Sequence, residues 1–193
     1  MLMKSIVWTM KIRIPVAVFV GFGIMCIIAT PLGSISSLAS PSSSSSLTID
    51  GVQCDKQEYS DIHIHTHLDI FINGKEFIVP SDIGFVPNNC LYWMHTHDDT
   101  GVIHIESPEN RTFTLGQFFH IWGETFSNNQ IFDNIVGNND NSSNTLNVYV
   151  NGKKMVSETD YGQIPLNEHD EIAIVYGRSP DSIPSSFKFP EGL

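Results

Sequence analysis

Positive charge is scarce in this 193-residue chain: ten Lys and Arg stand against 21 Asp and Glu. Three of the ten, Lys4, Lys11 and Arg13, precede the first acidic residue, Asp50. Residues 47–193 therefore keep seven basic side chains and a formal net charge of 7 − 21 = −14. A surface of that sign repels phosphate backbones and anionic lipid headgroups, which argues against nucleic acid as a partner. Cysteine is sparse as well. Only Cys26, Cys54 and Cys90 occur, and no two form a Cys-x-x-Cys pair, so the usual thiolate frame for a metal or redox centre is missing. After residue 30 there is no second long apolar run.

What the first 46 residues do have is a zoned order. The basic flank is followed by an apolar run of 17 residues, Ile14 to Thr30, broken by Pro15 and two glycines. This is the charge order of a signal peptide or membrane anchor whose basic end stays in the cytoplasm. Ser-Leu-Ala-Ser at 37–40 offers small residues for cleavage after Ala39, and Cys26 has no lipobox around it. Five consecutive serines at 42–46 end a stretch with nothing to bury, which reads as a tether. The expected organisation is a signal peptide or anchor over 1–33, a Ser-rich linker over 34–46, a globular domain over 47–180 and a C-terminal tail over 181–193. The expected location is the cell membrane with the domain outside the cytoplasm, or secretion if the leader is cut. In an oxidising compartment Cys54 and Cys90 pair by default, closing a loop worth about 3–4 kcal/mol. The bond is expected to pin the strand of the first histidine string, 63–67, to the strand of the second, 95–97. A thiolate metal ligand is the alternative.

Within the domain, residues 62–72 alternate strictly. Ile62, Ile64, Thr66, Leu68, Ile70 and Ile72 fall on one face; His63, His65, His67, Asp69 and Phe71 fall on the other. Asn73-Gly74 then signals a tight hairpin into Lys75–Val79. A second hairpin is expected from Leu91–His97 back through Val102–Glu106. Thr114 and Gln117 form a capping box, and Leu115, Phe118, Phe119 and Trp122 make a helical apolar stripe ending at Gly123. The Asn-rich stretch 124–144 reads as loop. Leu146, Val148 and Val150 alternate into Asn151-Gly152, and Ile172–Tyr176 reads as a closing strand. Strand pairs, one packed helix and further strands predict an α+β fold, a β-grasp-like mixed sheet with one helix, following the N-terminal membrane segment. A cupredoxin-like sandwich is the rival, but it needs more strands and no such helix.

Five of the eight histidines sit in two strings, His63-Ile-His65-Thr-His67 and His95-Thr-His97-Asp98. Side chains two apart on a strand point the same way, so each string presents its imidazoles together. Neutral imidazole is the commonest protein ligand for zinc, copper and nickel. The expected ligands are His63, His65, His67, His95 and His97, with Asp69 and Asp98 as carboxylate ligands or as acceptors that hold the rings, and His104 with Glu106 as further outer groups. The bland alternative is a solvated histidine-rich sheet face. Two strings on adjacent strands weigh against it. His120 and His169 read as solvated, and Tyr92, Trp93 and Met94 as core packing. No Gly-x-Ser-x-Gly elbow, Gly-rich phosphate loop or His-Glu-x-x-His helix occurs, and the chain is too short for an amidohydrolase barrel.

Three passages, Cys90-Leu-Tyr-Trp-Met-His-Thr-His-Asp, Gly101-Val-Ile-His-Ile-Glu-Ser-Pro and Thr112-Phe-Thr-Leu-Gly-Gln-Phe-Phe, resemble a family of exported archaeal and bacterial proteins. That family also shows a His-x-His-x-His-Leu strand and an acidic segment before Ile-x-Ile-Val-Tyr-Gly. The resemblance spans about residues 50–177 and implies a shared domain; it implies no particular activity. From the residues themselves the expected function is an extracytoplasmic module that binds copper or zinc for uptake, buffering or delivery. A metalloenzyme with an open coordination position, and His104, Glu106 or Asp98 as base, is the second expectation. An accessory domain of a membrane complex, binding no metal, is the third.

Overall fold

The computed structural model describes residues 47–137, 144–156 and 158–193. The leader and linker expected over 1–46 lie outside these residues. Among the described residues no helix is long and apolar enough to cross a membrane.

The first strands are β1 (Thr48–Ile49), β2 (Val52–Asp55), β3 (Ile62–Ile72), β4 (Lys75–Phe77), β5 (Phe85–Val86), β6 (Cys90–Tyr92), β7 (Met94–His95) and β8 (Val102–Ser107). Helix α1 (Leu115–Trp122) follows, then the short strands β9 (Phe126–Ser127), β10 (Gln130–Ile131) and β11 (Asn134–Ile135). The chain closes with β12 (Leu146–Val150), β13 (Lys153–Lys154), a 3-10 turn at Tyr161–Gln163 and β14 (Glu171–Tyr176). The domain is α+β and mostly sheet. Its main sheet runs β13-β12-β14-β3-β8-β7, with β4 also paired to β3.

The eleven-residue β3 organises that sheet because it changes partners halfway. Its first half pairs antiparallel with β8, from Ile62↔Ser107 to His67↔Val102. Its second half runs parallel to β14, from His67↔Glu171 to Ile72↔Tyr176, with β4 along the opposite edge. Asn73-Gly74 and Asn151-Gly152 have φ of 53° and 80°, and 52° and 74°. Two consecutive positive φ angles define the type I′ turns whose twist suits a tight hairpin. Helix α1 starts where the Gln117 side chain accepts a hydrogen bond from the Thr114 backbone N–H at 3.0 Å, and Gly123 ends it at φ 82°. Leu115, Phe118 and Phe119 are fully buried in a core shared with Leu68, Ile70, Ile103, Ile105, Ile172 and Ile174.

Three expectations need correcting. The strand over Leu91–His97 is split at Trp93, whose N–H reaches Gln53 of β2 at 3.1 Å while its carbonyl accepts from Glu106 of β8 at 2.8 Å. β6 therefore belongs to a second sheet, β1-β2-β6-β5, and only β7 flanks β8. The 124–144 stretch is not simply loop, since β9, β10 and β11 form a small meander anchored by the buried Phe126 and Ile131. The disulfide joins Cys54 to Cys90, with Cα atoms 5.3 Å apart. It ties β2 to β6, not β3 to the strand bearing the second histidine string.

Candidate metal centre

The face of β3 expected to be polar is not solvated in its middle: His65 and His67 are as buried as Thr66 and Leu68. Strand register explains what lies against His65. His104 of β8 sits opposite His65 of β3 on one side and opposite His95 of β7 on the other. One row of the sheet thus reads His65, His104, His95. The next row pairs His63 with Glu106. His104 lies edge-on to His65 and His97, at ring separations of 4.6 and 4.4 Å, and is stacked on His95 at 5.5 Å.

Two overlapping donor groups result. One is His63, His65 and His104; the other is His95, His97, His104 and Glu106. Within each, one nitrogen or oxygen per residue lies within 4.8 Å of the others. Glu106 Oε1 is 3.4 Å from His63 Nε2, 3.9 Å from His95 Nε2 and 3.8 Å from His104 Nδ1.

Hydrogen bonding sets the tautomer of His95. Its Nδ1 lies 2.9 Å from the Tyr92 carbonyl, which can only accept, so Nδ1 carries the proton and Nε2 presents a lone pair. That Nε2 is 3.2 Å from His97 Nε2, which donates a hydrogen bond to it in the metal-free protein. Two imidazoles on one tetrahedral ion, each about 2.0–2.1 Å from it, would place their nitrogens about 3.3 Å apart. The spacing therefore fits a shared ion.

The fit can be tested on polar satisfaction. His65 is 3% exposed, yet neither of its ring nitrogens has a hydrogen-bond partner, and His104 Nδ1 has none either. A neutral imidazole always carries one N–H and one lone pair. Burying either unmatched costs about 1–3 kcal/mol. A cation on the lone pairs removes part of that cost, and an apolar packing role does not.

Electrostatics keep these lone pairs free of protons. Burial, reinforced by His97, His95, His65 and His63, pushes His104 down to about 3. Burial pushes His95 down to about 4 against the opposing Tyr92 carbonyl bond. His65 is also lowered, by burial and by His63. Glu106 is raised, first by burial and then by the charge of Glu58, with His63 and His97 opposing.

The remaining expected residues fall elsewhere. His67 joins neither group; it lies with Asp69 and the unexpected Glu171 in a third. Asp98 belongs to none of the three and accepts from the Thr100 backbone N–H at 3.0 Å in an exposed turn. His104, expected as an outer group or as a base and not as a ligand, occupies the centre, a member of both groups. Glu168 was not anticipated, and its carboxylate accepts from the His65 backbone N–H at 3.1 Å. His120 and His169 are exposed, His120 hydrogen-bonding Asp50 and His169 stacking on Phe189. Tyr92, Trp93 and Met94 are buried in the core.

The chain matches no family model, no curated protein and no solved structure. Its functional assignment therefore rests on its own residues: among those described, histidines and Glu106 form groups that could hold a metal ion.

Proposed function

We propose that this protein is an extracytoplasmic module that binds copper or zinc through the imidazoles around His104, for uptake, buffering or delivery of the ion. The observation that carries the proposal is His65, a buried imidazole with both nitrogens unmatched in the middle of a donor cluster. All-nitrogen donors with one carboxylate suit either ion. Export is part of the proposal, supported by the zoned leader and by a disulfide, which persists in oxidising compartments. Kinship with the exported His-rich family belongs to it too. The β-grasp reading of the fold is supported by a central parallel β3–β14 pair flanked by hairpins, with α1 lying between β8 and β12 in the chain.

Titrating copper and zinc into the metal-free full-length chain tests the proposal. Tight binding by the wild type and its loss in a His65→Ala/His97→Ala double variant is the expected result. Equal binding by both would refute it. A metalloenzyme is the second reading, because Glu106 stands close enough to His63, His95 and His104 to serve as a base. An exchangeable water on the ion, seen by solvent-proton relaxation with paramagnetic Cu2+ bound, separates the two.

A further inference from the structure

The third group, His67, Asp69 and Glu171, does not belong to the imidazole cluster. The parallel register of β3 and β14 pairs Glu171 with His67 and Ala173 with Asp69, which gathers the three acidic and imidazole side chains in one place. His67 Nε2 lies 2.8 Å from the Thr100 carbonyl, so Nε2 must carry a proton. In the neutral ring the bare lone pair is then on Nδ1. That atom is 2.7 Å from Glu171 Oε2 and 3.9 Å from Asp69 Oδ2. At 2.7 Å a protonated His67 donates Nδ1–H to Glu171 in the metal-free protein, and Glu171 and Asp69 hold that proton. Once the proton leaves, Nδ1 and the two carboxylates are three lone-pair donors facing one another.

The orientation of the ring is enforced. Gly101 has φ 85°, and a Cβ there would meet the Leu68 carbonyl at 2.6 Å and His67 Nε2 at 3.1 Å. Only glycine lets the turn press Thr100 onto the imidazole. Phe187 lies flat on the other side of the ring, 3.7 Å away. The Asp69 side chain, 18% exposed, leaves the approach from solvent.

Charge then becomes the question. Glu171 is 1% exposed, and its Oε1 has no hydrogen-bond partner. The ion pairs of both carboxylates among the described residues are with His67 alone, with no Lys or Arg involved. One buried and one half-buried carboxylate carry two negative charges, and His67 can supply only one positive charge against them. Protons can supply the charge, and so can one divalent ion, which neutralises both acids while the ring stays neutral.

We propose that His67 Nδ1, Asp69 and Glu171 form a second, independent divalent-cation site that favours an oxygen-preferring ion, with waters completing the shell. Two carboxylates and one imidazole suit manganese or a similar cation, whereas the five-imidazole cluster suits copper or zinc. The two sites lie on one long strand but use different neighbours, β14 here and β7 with β8 there.

Titrating Mn2+ into the metal-free full-length chain, followed by loss of the free-ion electron paramagnetic resonance signal, tests this. Wild type should bind, and Glu171→Gln and Asp69→Asn should each weaken binding by about tenfold or more. Asp69→Asn, at a partly exposed position, serves if Glu171→Gln fails to fold by circular dichroism. The His65→Ala/His97→Ala variant should still bind Mn2+ while losing copper and zinc. No Mn2+ binding by folded wild type overturns the proposal, as does binding unaffected by either acid substitution. Mn2+ binding lost only in the His65→Ala/His97→Ala variant overturns it too. Failure of the copper and zinc titration alone would leave this site standing.

Discussion

Acid should destabilise the metal-free protein through His95, and the size of the effect follows from its burial. The residue is 1% exposed, and its folded value lies at about 4 against an ordinary 6.5. A lowered folded value means that the unfolded chain takes up the proton first. Stability is therefore complete above pH 6.5 and is lost as pH falls, until the folded ring itself titrates near 4. Integrated from about pH 7.5 to about pH 5, His95 alone removes about 2 kcal/mol. His65 and His104 act in the same direction. His67 acts against them: burial lowers it, but Glu171 and Asp69 raise it overall, so its stabilisation is full below pH 6.5 and is lost as pH rises through its folded value. Comparing wild type with His95→Gln isolates the contribution of this one ring. Urea unfolding in chelator at the two pH values should show the variant about 2 kcal/mol less pH-sensitive. The same pH sensitivity in both proteins would refute the account of this burial.

Other outcomes follow from single features. Replacing Cys54 and Cys90 together by alanine releases a loop of 36-residue separation and should cost about 4 kcal/mol in denaturant unfolding; a loss below about 1 kcal/mol would show that the bond constrains little. Gly101→Ala places a Cβ at φ 85° against the Leu68 carbonyl and should cost about 2 kcal/mol or more, read as a lower thermal midpoint. An unchanged midpoint would contradict the tight approach of that turn. For export, a protease site introduced at Ser44 should be cut from outside the cell only, and cutting from the cytoplasmic side alone would reverse the proposed orientation.

Much of the fold was readable because local rules act within a few residues. Both Asn-Gly turns need positive φ at two successive positions, and the alternation of 62–72 needs a strand. The capping glutamine and closing glycine of α1 bound the helix. The neighbours of each strand were not readable, and they decide the site. His104 is unremarkable in Val102–Ser107, flanked by Ile103 and Ile105, until β8 is inserted between β3 and β7. His67 shares its string with His63 and His65 but is drawn away because the parallel pairing with β14 starts at that residue and brings Glu171 to it. Glu171 did leave a signal: an acid heading an otherwise apolar buried strand must find a partner. The small meander left less, since only Phe126 and Ile131 are buried among its scattered polar residues.

The central claim is that imidazoles around His104 hold the ion. X-ray absorption of the full-length chain loaded with zinc reads the ligand set directly. A nitrogen and oxygen shell at about 2.0–2.1 Å, with outer-shell scattering from several imidazole rings that disappears in the His65→Ala/His97→Ala variant, is the result expected. A shell without imidazole scattering, or the same spectrum from the variant, would contradict it.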